Sequence, residues 1–169
     1  MPRTPTKIKI VDNSDKVKVE LHNIMLKRIT EAVLVTQGNI KMLVSSKGSG
    51  QLRDSIDYKV EEQGSKIIGG LGSPLEHAIY NEFGTGEFAE NGKGRKGYWV
   101  YVKGSNGKIK AKDPNKRYTL AQAKFVVKLM REKGLDAYYT KGMKPKKFMR
   151  NGFKNSKAVV KKIIGEPIK

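Results

Sequence analysis

The chain has 169 residues, enough to close one core without disulfides or a structural metal. It contains no cysteine, which excludes disulfide frameworks, zinc ribbons and thiol catalysis. Its 35 Lys and Arg against 16 Asp and Glu leave a formal charge of +19, suited to polyanions or acidic partners. The charge is uneven: residues 51–92 hold eight acids and three bases, 93–117 nine bases and one acid, and 141–169 ten bases and one acid. No apolar run approaches the roughly 18 residues that cross a bilayer. The opening MPRTPTKIKIVDN lacks the apolar centre of a signal peptide, so a protein made in the cytoplasm, away from membranes, is expected.

In chain order, residues 1–16 read as a loose arm and 17–169 as a single domain. From Val17 to about Val44, Leu21, Met25, Ile29, Ala32, Val33, Ile40 and Leu43 recur at helical spacing. One long amphipathic helix is predicted, stopped by Ser45-Ser46-Lys47-Gly48-Ser49-Gly50. The repeat then drops to two residues. Leu52, Ile56, Tyr58 and Val60 share one face of a predicted strand, and Lys66 to Leu71 return as its hairpin partner across Gln63-Gly64-Ser65. Ser73-Pro74-Leu75-Glu76 is a helix start, with Leu75, Ala78, Ile79 and Phe83 on one side of a helix ending at Gly84.

A glycine-rich loop follows at 84–97, then the strand Tyr98-Trp99-Val100-Tyr101-Val102 and a partner strand at Lys108–Ala111. Thr119-Leu120-Ala121-Gln122 is a capping box opening a helix whose stripe is Leu120, Ala123, Val127 and Met130. Met149, Phe153, Val160 and Ile164 outline a closing helix with Lys147, Arg150, Lys154, Lys157 and Lys161 outside the stripe. The expected class is α+β: a small antiparallel sheet of two hairpins packed against a long N-terminal helix and a C-terminal helix, with a flexible Gly-rich loop.

Gly84-Thr85-Gly86-Glu87-Phe88-Ala89 matches G-x-G-x-x-A, but a dinucleotide site needs a strand before and a helix after, and here the order is reversed. The Walker pattern fails on spacing, since Lys93 is followed by Gly94. His22 and His77 have no metal-ligand spacing, and no serine lies in a nucleophile elbow. Glu82, Glu87 and Glu90 could hold Mg²⁺, although carboxylates on such a loop more commonly pair with bases such as Lys93, Arg95 and Lys96. No cofactor, metal or catalytic residue is expected. A glycine-rich tract instead suits insertion against a neighbour, with Glu87, Phe88, Lys93, Arg95 and Lys96 as contact residues.

Residues 77–104 (HAIYNEFGTGEFAENGKGRKGYWVYVKG) and 131–153 (REKGLDAYYTKGMKPKKFMRNGF) carry a resemblance to a known family. The pattern is A-x-Y-x-E-F-G-T-G, a variable glycine loop, an aromatic strand, then G-x-K-P-x-x-F leading into the final helix. It resembles the minor tail proteins of long-tailed bacteriophages, the tail-completion or head–tail joining (neck) proteins. Ala78, Tyr80, Glu82, Phe83, Gly84, Thr85 and Gly86 carry the first motif, Gly142, Lys144, Pro145 and Phe148 the second, and Trp99 the aromatic strand. Against the compact members, residues 105–140 form a longer insertion with a helix. The resemblance implies a non-enzymatic virion component assembled in the host cytoplasm. It implies a homo-oligomeric ring of six or twelve copies at the upper end of the tail, contacting neighbouring neck and tail proteins and, through phosphates, phage DNA. The alternative is a sequence-nonspecific nucleic-acid-binding protein using Lys144, Lys146, Lys147, Arg150, Lys154, Lys157 and Lys161.

Overall fold

The computed structural model describes residues 12–44, 50–104, 109–111, 113 and 115–167. The expected joint at 45–49 and most of the N-terminal arm lie outside the described residues. Helix α1, Ser14–Leu43, is a single span of 30 residues, about 45 Å at the α-helical rise. Its second half buries Ala32, Val33, Thr36 and Ile40, while residues 14–23 are exposed on every side.

The expected strand around Leu52 is corrected. Gln51–Asp54 form a short helix, α2, preceded by Gly50 at φ 72. The Ser55 hydroxyl donates to the Leu52 carbonyl at 2.8 Å, a local bond that competes with a ladder. Strand β1, Asp57–Gln63, therefore starts after the buried Ile56 and pairs with β2, Lys66–Gly72, from Gln63↔Lys66 to Asp57↔Gly72. Gly64, at φ 60, makes the tight turn. The hairpin lies on α1 so closely that a Cβ at Gly69 would enter the Val33 side chain.

Helix α3, Glu76–Phe83, begins later than the capping signal implied. The Ser73 hydroxyl accepts from the Leu75 amide at 3.2 Å and shares a bond with Ser55 at 2.8 Å, so it does not cap as expected. Ala78 and Glu82 face inward, whereas Ile79 and Phe83, expected on the buried side, are exposed.

The two hairpins stand in separate sheets. Strand β3, Trp99–Lys103, pairs antiparallel with β4, Ile109–Ala111, as expected. On its other edge β3 pairs with β5, Ala137–Thr140, a strand the reading of the sequence missed. Helix α4, Leu120–Glu132, opens with the predicted capping box. Ala123, Val127 and Met130 of α4 pack with Val100, Tyr118 and Ala137 into one hydrophobic cluster, and Leu120 stays exposed.

Helix α5, Phe148–Gly165, runs antiparallel to α1, the most extensive packing between elements. Its buried residues are Phe148, Gly152, Ser156 and Ile163, not the expected Met149, Phe153, Val160 and Ile164. Small residues decided the face: at Gly152 α5 meets the Ile40 side chain, and Ser156 accepts a hydrogen bond from Asn39 at 2.8 Å. Phe153 and Ile164 are left exposed. Ile40, Val44, Ile56, Ala78 and Phe148 form the second cluster, so the domain holds two small cores joined by residues 84–98 and 140–147.

These glycines differ in a testable way. Gly152→Ala drives a Cβ into the Ile40 side chain and to 2.9 Å from its Cα, an overlap that should cost about 1–3 kcal/mol in urea denaturation. Gly38→Ala in α1 meets open space at negative φ and should stabilise by about 0.5–1 kcal/mol.

Candidate functional site

The two motifs of the resemblance meet in space, and the meeting point is the N-terminus of α5. That helix begins after Lys147, at φ 55 with no side-chain cap of its own. Glu82 of α3 supplies the cap: its carboxylate accepts from the Met149 amide at 2.8 Å and the Arg150 amide at 3.3 Å. These are the two orphan donors an N-cap side chain normally satisfies, and the negative charge also meets the positive helix end. Arg150 folds back to donate its Nε–H to the same carboxylate at 2.8 Å and an Nη2–H to the Glu82 carbonyl at 3.2 Å.

Backbone rungs continue this closure. The Lys146 amide donates to the Asn81 carbonyl at 2.8 Å and the Thr85 amide to the Met143 carbonyl at 2.9 Å. The Met143 amide donates to the Thr85 hydroxyl at 3.0 Å. Such proximity explains the glycines of the loop. A Cβ at Gly84 would sit 2.8 Å from the Met143 carbonyl oxygen and 2.9 Å from Pro145 Cδ. Cβ atoms at Gly86, Gly94 and Gly142 would each collide with a facing backbone oxygen. Glycine is required here because two backbones touch, as well as for the freedom argued from composition.

The acids of the loop pair, but with partners other than those expected. Glu87 accepts from the Gly97 amide at 3.1 Å and meets Lys141 Nζ at 3.3 Å. Glu90 bridges Lys147 at 2.8 Å and Arg150 at 2.7 Å. The Gly97 N–H, then Lys141, holds the Glu87 carboxyl below its ordinary range, and Lys147 followed by Arg150 does the same for Glu90. Among the described residues no three His, Cys, Asp or Glu gather as a metal site.

Of the other loop residues, Phe88 lies beneath Lys141 and Lys144, whose ammonium groups are 5.1 and 5.9 Å from the ring centre. Arg95 stacks 5.1 Å over Trp99 and donates to the Lys116 carbonyl. Lys93 and Lys96 are exposed at the loop surface. Pro145 and Trp99 are half-buried against Gly84 and Gly86, and Phe148 is buried. The seven basic residues therefore divide. Lys147 and Arg150 are held by carboxylates and Lys144 by a ring, while Lys146, Lys154, Lys157 and Lys161 remain on the surface. Lys141, which ties Glu87, Phe88 and the ring of Tyr98, was missed by the reading of the sequence. Nothing in its local spacing marks it.

On its outer side the first motif is bare. Ile79, Tyr80 and Phe83 are 62%, 53% and 47% exposed, and with Gly84, Ala89 and Lys93 they border a recess of about 380 Å³. Placing Ala78 and Glu82 inward turns these three outward on the same short helix.

Two outcomes follow. Glu82→Gln, which keeps the size and removes the charge, should destabilise by roughly 1–3 kcal/mol in urea denaturation. Because Glu87 and Glu90 are harder to protonate when folded, their stabilisation is present above about pH 4.3 and drains as pH falls through their lower folded-state values. The doubly substituted Glu87→Gln/Glu90→Gln protein should show a flatter denaturation midpoint below that pH.

Residues 8–84 match the family model described as "Bacteriophage HK97-gp10, putative tail-component", a little under half of the chain. No curated protein and no solved structure matches. The matched span covers α1, the β1–β2 hairpin and α3 through its closing Gly84, and so contains the Glu82 cap and the exposed face beside it. Over residues 8–84 the chain is thus similar to the HK97-gp10-like tail components of bacteriophages.

Proposed function

We propose that this protein is a tail-completion or head–tail joining subunit of a bacteriophage tail, working as a ring at its upper end. Similarity over residues 8–84 to a family described as a bacteriophage tail component supports a structural role in the virion beside other tail proteins. Among the described residues no helix is long and apolar enough to cross a membrane.

The observation that carries the ring-subunit proposal is the two-sided use of α3. Its inner face, Ala78 and Glu82, is committed to holding α5, while its outer face presents Ile79, Tyr80 and Phe83 to solvent. Three large apolar side chains on eight residues of helix, beside a recess, are what one subunit offers to a neighbour. A contact made by two different patches of identical subunits closes into a ring when its rotation allows. In this reading Lys93 and Lys96 at the loop surface meet the neighbour, while Glu87, Phe88 and Arg95 hold the loop in shape for it.

A second reading has one observation in its favour. Lys154, Lys157 and Lys161 run along α5 with no ion-pair partner among the described residues, as a duplex-binding stripe would. The bound phosphates would then set a steep salt dependence.

The test is assembly. Ile79→Lys/Tyr80→Ser should fold with an unchanged denaturation midpoint yet sediment as a monomer, and phage carrying it should accumulate unjoined heads and tails. Joined, infectious particles at the ordinary yield would overturn the proposal.

A further inference from the structure

A second apolar surface lies away from α3. Between α1, β2 and α5 runs a groove of about 560 Å³. Its floor is Ile29, Val33 and Leu71, and its far wall is Phe153, Val160 and Ile164, the residues that the Gly152–Ser156 packing turned away from the core. Gly69 adds no side chain to the near wall, which leaves the trough open. Lys154, Lys157 and Lys161 stand along its edge.

Apolar area alone does not name an occupant; the lysines do. They have no carboxylate partner among the described residues, and, exposed at the rim, they flank the hydrocarbon of the groove. An occupant that fills the apolar trough and also meets the lysines brings apolar side chains flanked by anions, which a protein supplies as carboxylates. A second copy of this chain is a poor source: eight of its 16 acids already sit against basic side chains, and each copy carries +19. The spacing also selects a shape. Offsets of three and seven residues place the ammonium groups about 4.5 and 10.5 Å along α5. Carboxylates three or four and seven residues apart on a helix match that interval, whereas one face of a strand repeats at about 6.8 Å.

We propose that this groove binds an acidic amphipathic helix of a different protein. Its apolar stripe would lie on Val33, Leu71 and Val160, and its flanking carboxylates would meet Lys154, Lys157 and Lys161. The surface is distinct from the α3 face assigned to ring contact, so either assignment can fail without the other.

The probe is a fluorescently labelled synthetic peptide of about 14 residues, with leucines at helical spacing and glutamates on one flank. Its control is the same peptide with lysines replacing the glutamates. Fluorescence anisotropy with the full chain should show the acidic peptide binding and the basic one not. Lys154→Glu/Lys157→Glu/Lys161→Glu, changing only exposed side chains, should weaken the acidic peptide on the order of tenfold or more and admit the basic one. Val160→Asp should abolish binding of the acidic peptide, with folding checked by circular dichroism. Three results would each overturn the proposal. One is no binding, or charge reversal without effect. Another is displacement of the peptide by duplex DNA that binds Val160→Asp as tightly as the native protein. The third is self-association in sedimentation that only the triple substitution removes.

Discussion

The fold turns on one carboxylate. Helix α5 starts without a cap of its own, after a lysine in the left-handed region, a conformation that costs roughly 1–2 kcal/mol for a residue with a Cβ. Glu82, far away in sequence, satisfies two of its orphan amides and draws Arg150 over itself. A buried carboxylate without such partners would be costly, and a helix end without such an acceptor would waste its donors. Each answers the need of the other, and this fixes α3 against α5.

The opposite end of α5 is held in a similar way. Arg28 of α1 reaches the Ile164 carbonyl at 3.2 Å and the Pro167 carbonyl at 3.3 Å, putting positive charge on the negative helix terminus. Between these two ends α1 and α5 close on each other through Gly152 and Ser156. The other cluster, around β3 and α4, has no comparable packing against α1 or α5. It is attached through the loop, where Thr85, Glu87 and Glu90 bond to the segment just before α5. The glycine-rich tract is therefore the seam between two cores.

That arrangement gives the phage-tail reading a physical form. An eight-residue helix holds the last helix with one side and offers Ile79, Tyr80 and Phe83 with the other. A neighbour pressing on α3 would press on the element whose Glu82 anchors α5, so contact and internal order are mechanically joined. The groove behind α5 is a separate consequence of the same packing. Once Gly152 and Ser156 face α1, Phe153, Val160 and Ile164 are left to line the trough.

Much of this was legible in the residues themselves. Helical spacing located α1 and α4, the Thr119–Gln122 box marked its own helix start, and alternation with Gly64 marked the first hairpin, because those signals are local and hydrogen bonds within a few residues enforce them. The motif pair was visible too, and with it the resemblance to phage tail components, which the match over residues 8–84 supports for the first motif. What only the tertiary structure decided was which side of each short helix faces in. On α3 and α5 the larger apolar residues outnumber the buried ones, so counting hydrophobics points outward. The choice came from Glu82 needing a helix end and from Gly152 admitting Ile40, two contacts between residues more than 60 positions apart that no local pattern records.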